Sequence, residues 1–177
     1  WKNALKYSNR AVKFYSEIVG EYPYSSVSVV QGDYKGCDME YPMVTVIGSA
    51  SSDAGLDNVI THEIGHNWFY GIFGSNERDH PWLDEGWNSY MDSRYMSDYY
   101  SYSTGTEYLA YLYESKNHSD QAIESRSQDL SFINYYICGY AKPTMSFRYL
   151  QQYLGTKELD RILKKYYETW KFKHPQP

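Results

Sequence analysis

The sequence predicts an α+β chain, mainly helical, in which a small sheet edge near the N-terminus is followed by helices. Three observations carry this. Apolar residues recur at three- and four-residue spacing through most of the chain, the pattern of helices that bury one face. Two short β-branched runs, both in the first fifty residues, are bounded by proline and glycine. No internal repeat or low-complexity segment breaks the pattern, so the 177 residues read as one domain over residues 1–177.

Each element has its own local reason. Residues 2–19 place Leu5, Val12, Tyr15 and Val19 at helical spacing, and Gly20 with Pro23 ends the run. Residues 26–31 and 43–47 are the two strands, the first bounded by Pro23 and Gly32 and the second beginning just beyond Pro42. Asp57 reads as the N-cap of a helix that runs through Ile60, Ile64, Trp68 and Phe69 and stops at residues 71–74. A polar loop, 75–81, precedes a helix over 82–99, and further helices fit 106–115, 141–153 and 157–170. The chain opens on Trp1 rather than Met, and its last five residues hold two prolines and no cap. These features predict a piece excised from a longer protein.

Composition narrows the function classes. Hydrophobic residues make up 42% and charged residues 22%, an ordinary globular balance. No window approaches the ~18 consecutive apolar residues of a membrane span, so a soluble chain is expected. A net charge of −5 and a pI near 5.5 argue against a phosphate-binding surface, and no nucleic-acid partner is expected. Twenty-two tyrosines and five tryptophans are assigned mainly to packing. Cys37 and Cys138 are too few for a disulfide scaffold, and buried thiols are expected.

The chemistry concentrates in His62-Glu63-Ile64-Gly65-His66. On a helix, residues four apart share one face, so both imidazoles can reach one metal ion while Glu63 contacts the metal's water without being a ligand. Catalytic zinc takes a third protein ligand and keeps one position open. Glu85 supplies that ligand, with eighteen residues between it and His66, enough for a loop and a returning helix. One Zn2+ held by His62, His66 and Glu85 is therefore the expected cofactor. Asp84 and Asp92 are the nearby carboxylates that could orient the imidazoles. His80 and His118 lie in polar stretches and read as solvated or hydrogen-bonded histidines.

The segment HEIGHNWFYG, the spacing that follows it and WLDEGW together resemble the gluzincin peptidases, and within them the aminopeptidase N family. Upstream, Cys37-Asp38-Met39-Glu40-Tyr41 resembles that family's Gly-x-Met-Glu-Asn exopeptidase motif, whose Glu binds the free α-amino group of the substrate. Downstream, Tyr140-Ala141-Lys142-Pro143 resembles its Tyr-x-Lys-Gly motif, whose Tyr stabilises the oxyanion. The resemblance implies a thermolysin-like metallopeptidase catalytic domain, flanked in the family by an N-terminal β-domain and a C-terminal helical domain. It also implies peptide substrates with a free N-terminus, Glu63 as general base, Tyr140 as oxyanion donor, and Met39 and Glu40 as substrate-binding residues. Three departures stand out. Cys37 replaces the motif glycine, or Gly36 is displaced by one residue; Tyr41 replaces Asn; and Pro143 replaces Gly, a change that a helix's first turn tolerates. The same ligands also suit a zinc endopeptidase, another hydrolase or a catalytically silent zinc-binding interaction domain. The exopeptidase motif is what separates the aminopeptidase from these.

Overall fold

The computed structural model describes residues 1–33, 37–101 and 105–177. Its elements are α1 (Ala4–Ile18), β1 (Ser28–Gln31), β2 (Val44–Ile47), α2 (Asp53–His66), α3 (Trp87–Tyr100), α4 (Gly105–Lys116), α5 (Phe132–Tyr136), α6 (Lys142–Leu154) and α7 (Thr156–Trp170). Three widened, π-helical turns join them: Asn67–Ile72 prolongs α2, Trp82–Gly86 leads into α3, and Ile137–Ala141 links α5 to α6. The chain is mainly helical with one small sheet, the class its periodicity predicts. Gly36, part of the upstream motif, lies outside the described residues.

The core forms where α1, α2 and α3 meet, and α7 closes it with Leu159 and Leu163. The buried stripe of α1 is Tyr7, Ala11, Phe14 and Tyr15, whereas Leu5 faces solvent. Of the expected residues Tyr15 and Val19 are buried, and aromatic Tyr7 and Phe14 complete the stripe that Leu5 was expected to share. Tyr15 stacks on Trp68 with ring centroids 5.2 Å apart. Its hydroxyl, though fully buried, is satisfied by donating to Asn88 Oδ1 at 3.0 Å, the polar handle that buried tyrosine requires.

Helix α2 begins five residues earlier than an N-cap at Asp57 implies. Ser52 is the cap, its Oγ accepting from the Gly55 amide at 3.0 Å. Asp57 is instead fully buried inside the helix. It pairs with the Arg10 guanidinium and accepts from Tyr95 at 2.7 Å and Tyr100 at 2.6 Å. An aspartate ahead of an apolar run has the local look of a cap, but its partners come from α1 and α3, distant in sequence. The other long-range surprise is α5. The helix expected from residue 141 begins at Phe132, so Tyr140 lies inside a continuous helical segment. Pro143 lacks the N–H that would bond one turn back, and the widened turn just before it accommodates that loss.

β1 and β2 pair in parallel, Ser28 opposite Val44 through Gln31 opposite Ile47. Met39 adds an antiparallel bridge to Val46, with amide–carbonyl distances of 3.0 and 2.9 Å. The buried Thr45 hydroxyl donates to the Glu63 carbonyl at 3.1 Å, which seats the sheet on α2 beside the site. Cys37 and Cys138 are both thiols, and buried Cys138 donates to the Gln121 carbonyl at 3.3 Å.

Candidate active site

Helix α2 presents His62, Glu63 and His66 toward the widened turn Trp82–Gly86, which carries Glu85. The Nε2 atoms of His62 and His66 are 3.2 Å apart, and Glu85 Oε2 lies 3.3 Å from each. Three donor atoms therefore form a nearly equilateral triangle. A tetrahedral ion with bonds of about 2.0–2.1 Å requires ligand-to-ligand edges of roughly 3.3 Å, so these residues fit a zinc ion. Glu85 Oε2 is buried and takes no hydrogen bond, as expected of an atom that faces a metal.

The backs of the imidazoles are held by the two carboxylates between which the sequence leaves the choice open, and each histidine takes one. His62 Nδ1 lies 2.7 Å from Asp92 Oδ2, and His66 Nδ1 lies 2.5 Å from Asp84 Oδ1. These contacts fix both rings with Nε2 toward the triangle. Close packing of α3 on α2 makes them possible. Asn88 on α3 donates to the His62 carbonyl at 2.7 Å while accepting from Tyr15. A Cβ at Gly65 would stand 1.9 Å from Asn88 Oδ1 and 2.3 Å from the Tyr15 hydroxyl, so only glycine fits inside the two-histidine motif.

Burial pushes the Glu63 carboxyl up to about 7, although the neighbouring imidazoles pull the other way. Burial acts upward on Glu85 as well, but there His66 and His62 outweigh it and hold the carboxyl well below the usual range. His62 shows the opposite balance: burial opposes its charge, yet the Asp92 and Glu85 contacts raise it to about 10. The same carboxylates make the imidazoles more basic, which strengthens them as metal ligands once they are deprotonated.

Tyr140 lies in the widened turn Ile137–Ala141, stacks on the His62 ring at 6.1 Å and donates to Glu85 Oε1 at 2.5 Å. This approach depends on Gly86, where a Cβ would come within 2.5 Å of Pro143. Lys142, the other polar residue of that motif, binds Asp120 at 2.7 Å and the Gln121 carbonyl at 3.0 Å, which anchors the helix next to Tyr140. The Met39 bridge brings Glu40 to the site: one Glu40 oxygen and donor atoms of Glu63 and His66 all lie within 4.8 Å of one another. Met39 and Glu40 line a cavity of about 330 Å³ with Glu77, Arg78, Glu85, Ser127 and Tyr135. All the site residues expected from sequence therefore converge on one centre. His80 instead contacts Glu124 at 3.2 Å, and His118 is exposed. Two further lining residues carry no signal of their own in sequence: Glu77 sits in an irregular polar loop with no periodicity to mark it, and Tyr135 is a tyrosine near Tyr140 without the lysine two residues on.

Residues 4–177 match the Peptidase family M1 domain. The chain belongs to peptidase family M1. Among curated M1 relatives, it is 25% identical to leucine aminopeptidase 2 of Emericella nidulans, with 94% of the chain aligned to 29% of that protein. It is also 25% identical to a leukotriene A-4 hydrolase homolog of Botryotinia fuckeliana, with 86% aligned to 28%. The chain thus spans well under a third of the length of these relatives. Among solved structures, the M1 zinc metallopeptidase of Deinococcus radiodurans superposes with a TM-score of 0.73 at 17% identity, covering 96% of this chain and 38% of that one. Leukotriene A4 hydrolase of Saccharomyces cerevisiae gives 0.71 at 18%, covering 96% and 30%. At such identities the likeness is one of fold. Among the described residues, no helix of this M1 chain is long and apolar enough to cross a membrane.

Proposed function

We propose that this M1 chain carries the catalytic centre of a zinc-dependent aminopeptidase, with His62, His66 and Glu85 as ligands of one Zn2+. The observation that carries the reading is the carboxylate of Glu40 set against the donor triangle, within 4.8 Å of both Glu63 and His66 donor atoms. A metallohydrolase needs the triangle; a fixed anion beside it suits an N-terminal ammonium. Names of curated relatives support the same class.

When bound, zinc supplies Lewis-acid polarisation of the scissile carbonyl and of water. The remaining work belongs to side chains. Glu63, held near neutrality by burial, accepts the proton of the attacking water at its carboxylate and passes it to the leaving amine. Glu40 binds the substrate's α-ammonium and Met39 lines the pocket beside it, so the first peptide bond is the one presented. Tyr140, kept protonated by burial and by Glu85, turns its hydroxyl from Glu85 to the oxyanion as charge develops there.

The test has two parts, both on the full chain. Glu63→Gln should retain one equivalent of zinc by metal analysis and lose turnover by about 10²–10⁴-fold, the range of general acid–base catalysis. Near-normal turnover in that variant would rule the mechanism out. Unblocked aminoacyl reporters should be cleaved and their N-acetylated forms refused; the reverse preference identifies an endopeptidase.

A further inference from the structure

We infer that Glu77 is a second carboxylate of the amine pocket and shares the substrate's α-ammonium with Glu40. This rests on the aminopeptidase reading and extends it by one residue. Glu77 reaches the site from the irregular loop after α2 and lines the same cavity of about 330 Å³ as Glu40 and Glu85. One carboxylate oxygen from each of Glu40, Glu77 and Asp84 lies within 4.8 Å of the others. Charge-assisted N–H···O bonds run about 2.7–2.9 Å and the N–H bonds of an ammonium diverge by about 109°, so one nitrogen bridges two oxygens roughly 4.4–4.7 Å apart, and slightly more with bent bonds. The Glu40 and Glu77 oxygens, within 4.8 Å of each other, are spaced for such a bridge. An ammonium carries three donors and can serve both at once.

The surroundings call for a cation there. Asp84 is 1% exposed, and while one of its oxygens is bound to His66, Oδ2 accepts no hydrogen bond. Glu63, 6% exposed, likewise leaves Oε2 unsatisfied within the neighbouring group of Glu40, Glu63 and His66. Buried carboxylates without partners are costly, and a bound cation relieves several at once. Among the described residues, no lysine or arginine forms an ion pair with Glu40, Glu63 or Glu77. Arg78 also lines the cavity, but it is exposed. Glu77 is also held in place for the task. The Ser127 hydroxyl donates to the Glu77 carbonyl at 2.7 Å, and the Ser127 amide donates to the Arg78 carbonyl at 2.9 Å.

The experiment is calorimetric binding of alaninamide and of N-acetylalaninamide to the zinc-loaded wild-type chain, Glu77→Gln and Glu77→Asp. Wild type should bind alaninamide and reject the acetylated form. Glu77→Gln should weaken alaninamide about tenfold, with Glu77→Asp in between, and should raise KM for an unblocked reporter by a similar factor, more than it changes kcat. Because Glu77 is only half-buried, both variants should keep the wild-type melting temperature. Alaninamide affinity within twofold of wild type in Glu77→Gln overturns the inference and leaves Glu40 as sole anchor. Wild type binding both amides equally, or neither, overturns the amine pocket itself and the aminopeptidase reading with it.

Discussion

At the scale of single residues, the site is a set of paired commitments. Each imidazole is oriented by its own carboxylate, so the two aspartates act on metal affinity without touching the ion. Asp92→Asn and Asp84→Asn should each weaken zinc binding about 10–100-fold in a chelator competition, the usual effect of losing such a support. Asp84→Asn should also lower the melting temperature more, because Asp84 is the more deeply buried of the two. The two histidines proposed as ligands were legible in sequence because helical geometry converts a four-residue spacing into a shared face. Which aspartate backs which ring was not, since that depends on how α3 lies across α2. Glu77 was less legible still: a loop has no period, and its carboxylate matters only through where the chain carries it.

At the scale of elements, the helices lie close to their expected positions, and the errors arise where a residue's local chemistry suggests one role and its distant partners impose another. Ser52 and Asp57 separate the two cases. Ser52→Ala removes an exposed cap and should cost about 1 kcal/mol. Asp57→Ala strips a buried carboxylate from Arg10, Tyr95 and Tyr100 and should cost about 3 kcal/mol or more, even though Arg10 retains some access to water. Urea denaturation of the two variants checks the order, and a larger loss for Ser52→Ala would contradict it. The strands were legible as strands, but their parallel pairing and the Met39 bridge were not, because register is set by contacts across a connection that no short-range pattern specifies.

At the scale of the whole molecule, the proposed metal site lies between α2 and the Trp82–Gly86 turn that leads into α3. An ion bound there ties the two together in the native state only. Zinc at a hundredfold excess over its dissociation constant should therefore stabilise the fold by about 2.7 kcal/mol. Differential scanning calorimetry with and without a chelator measures this, and a melting temperature indifferent to zinc would count against His62, His66 and Glu85 as its ligands. Fold class was readable from periodicity because that pattern records which faces are buried. The convergence of Glu40 and Tyr140 on the group of His62, His66 and Glu85 was expected only through resemblance to a family, since each comes from a different stretch of chain.

The three widened turns stand beside His66, around Glu85 and around Tyr140. Each holds one residue more than an ordinary helical turn would. Deleting that residue would restore an ordinary helical turn and shift the side chains carried on the widened turn around the helix by up to about 100°. The centre is thus encoded in the count of residues as well as in their identity. A gap of one position, trivial to an alignment and nearly silent in a helical spectrum, would be enough to take it apart.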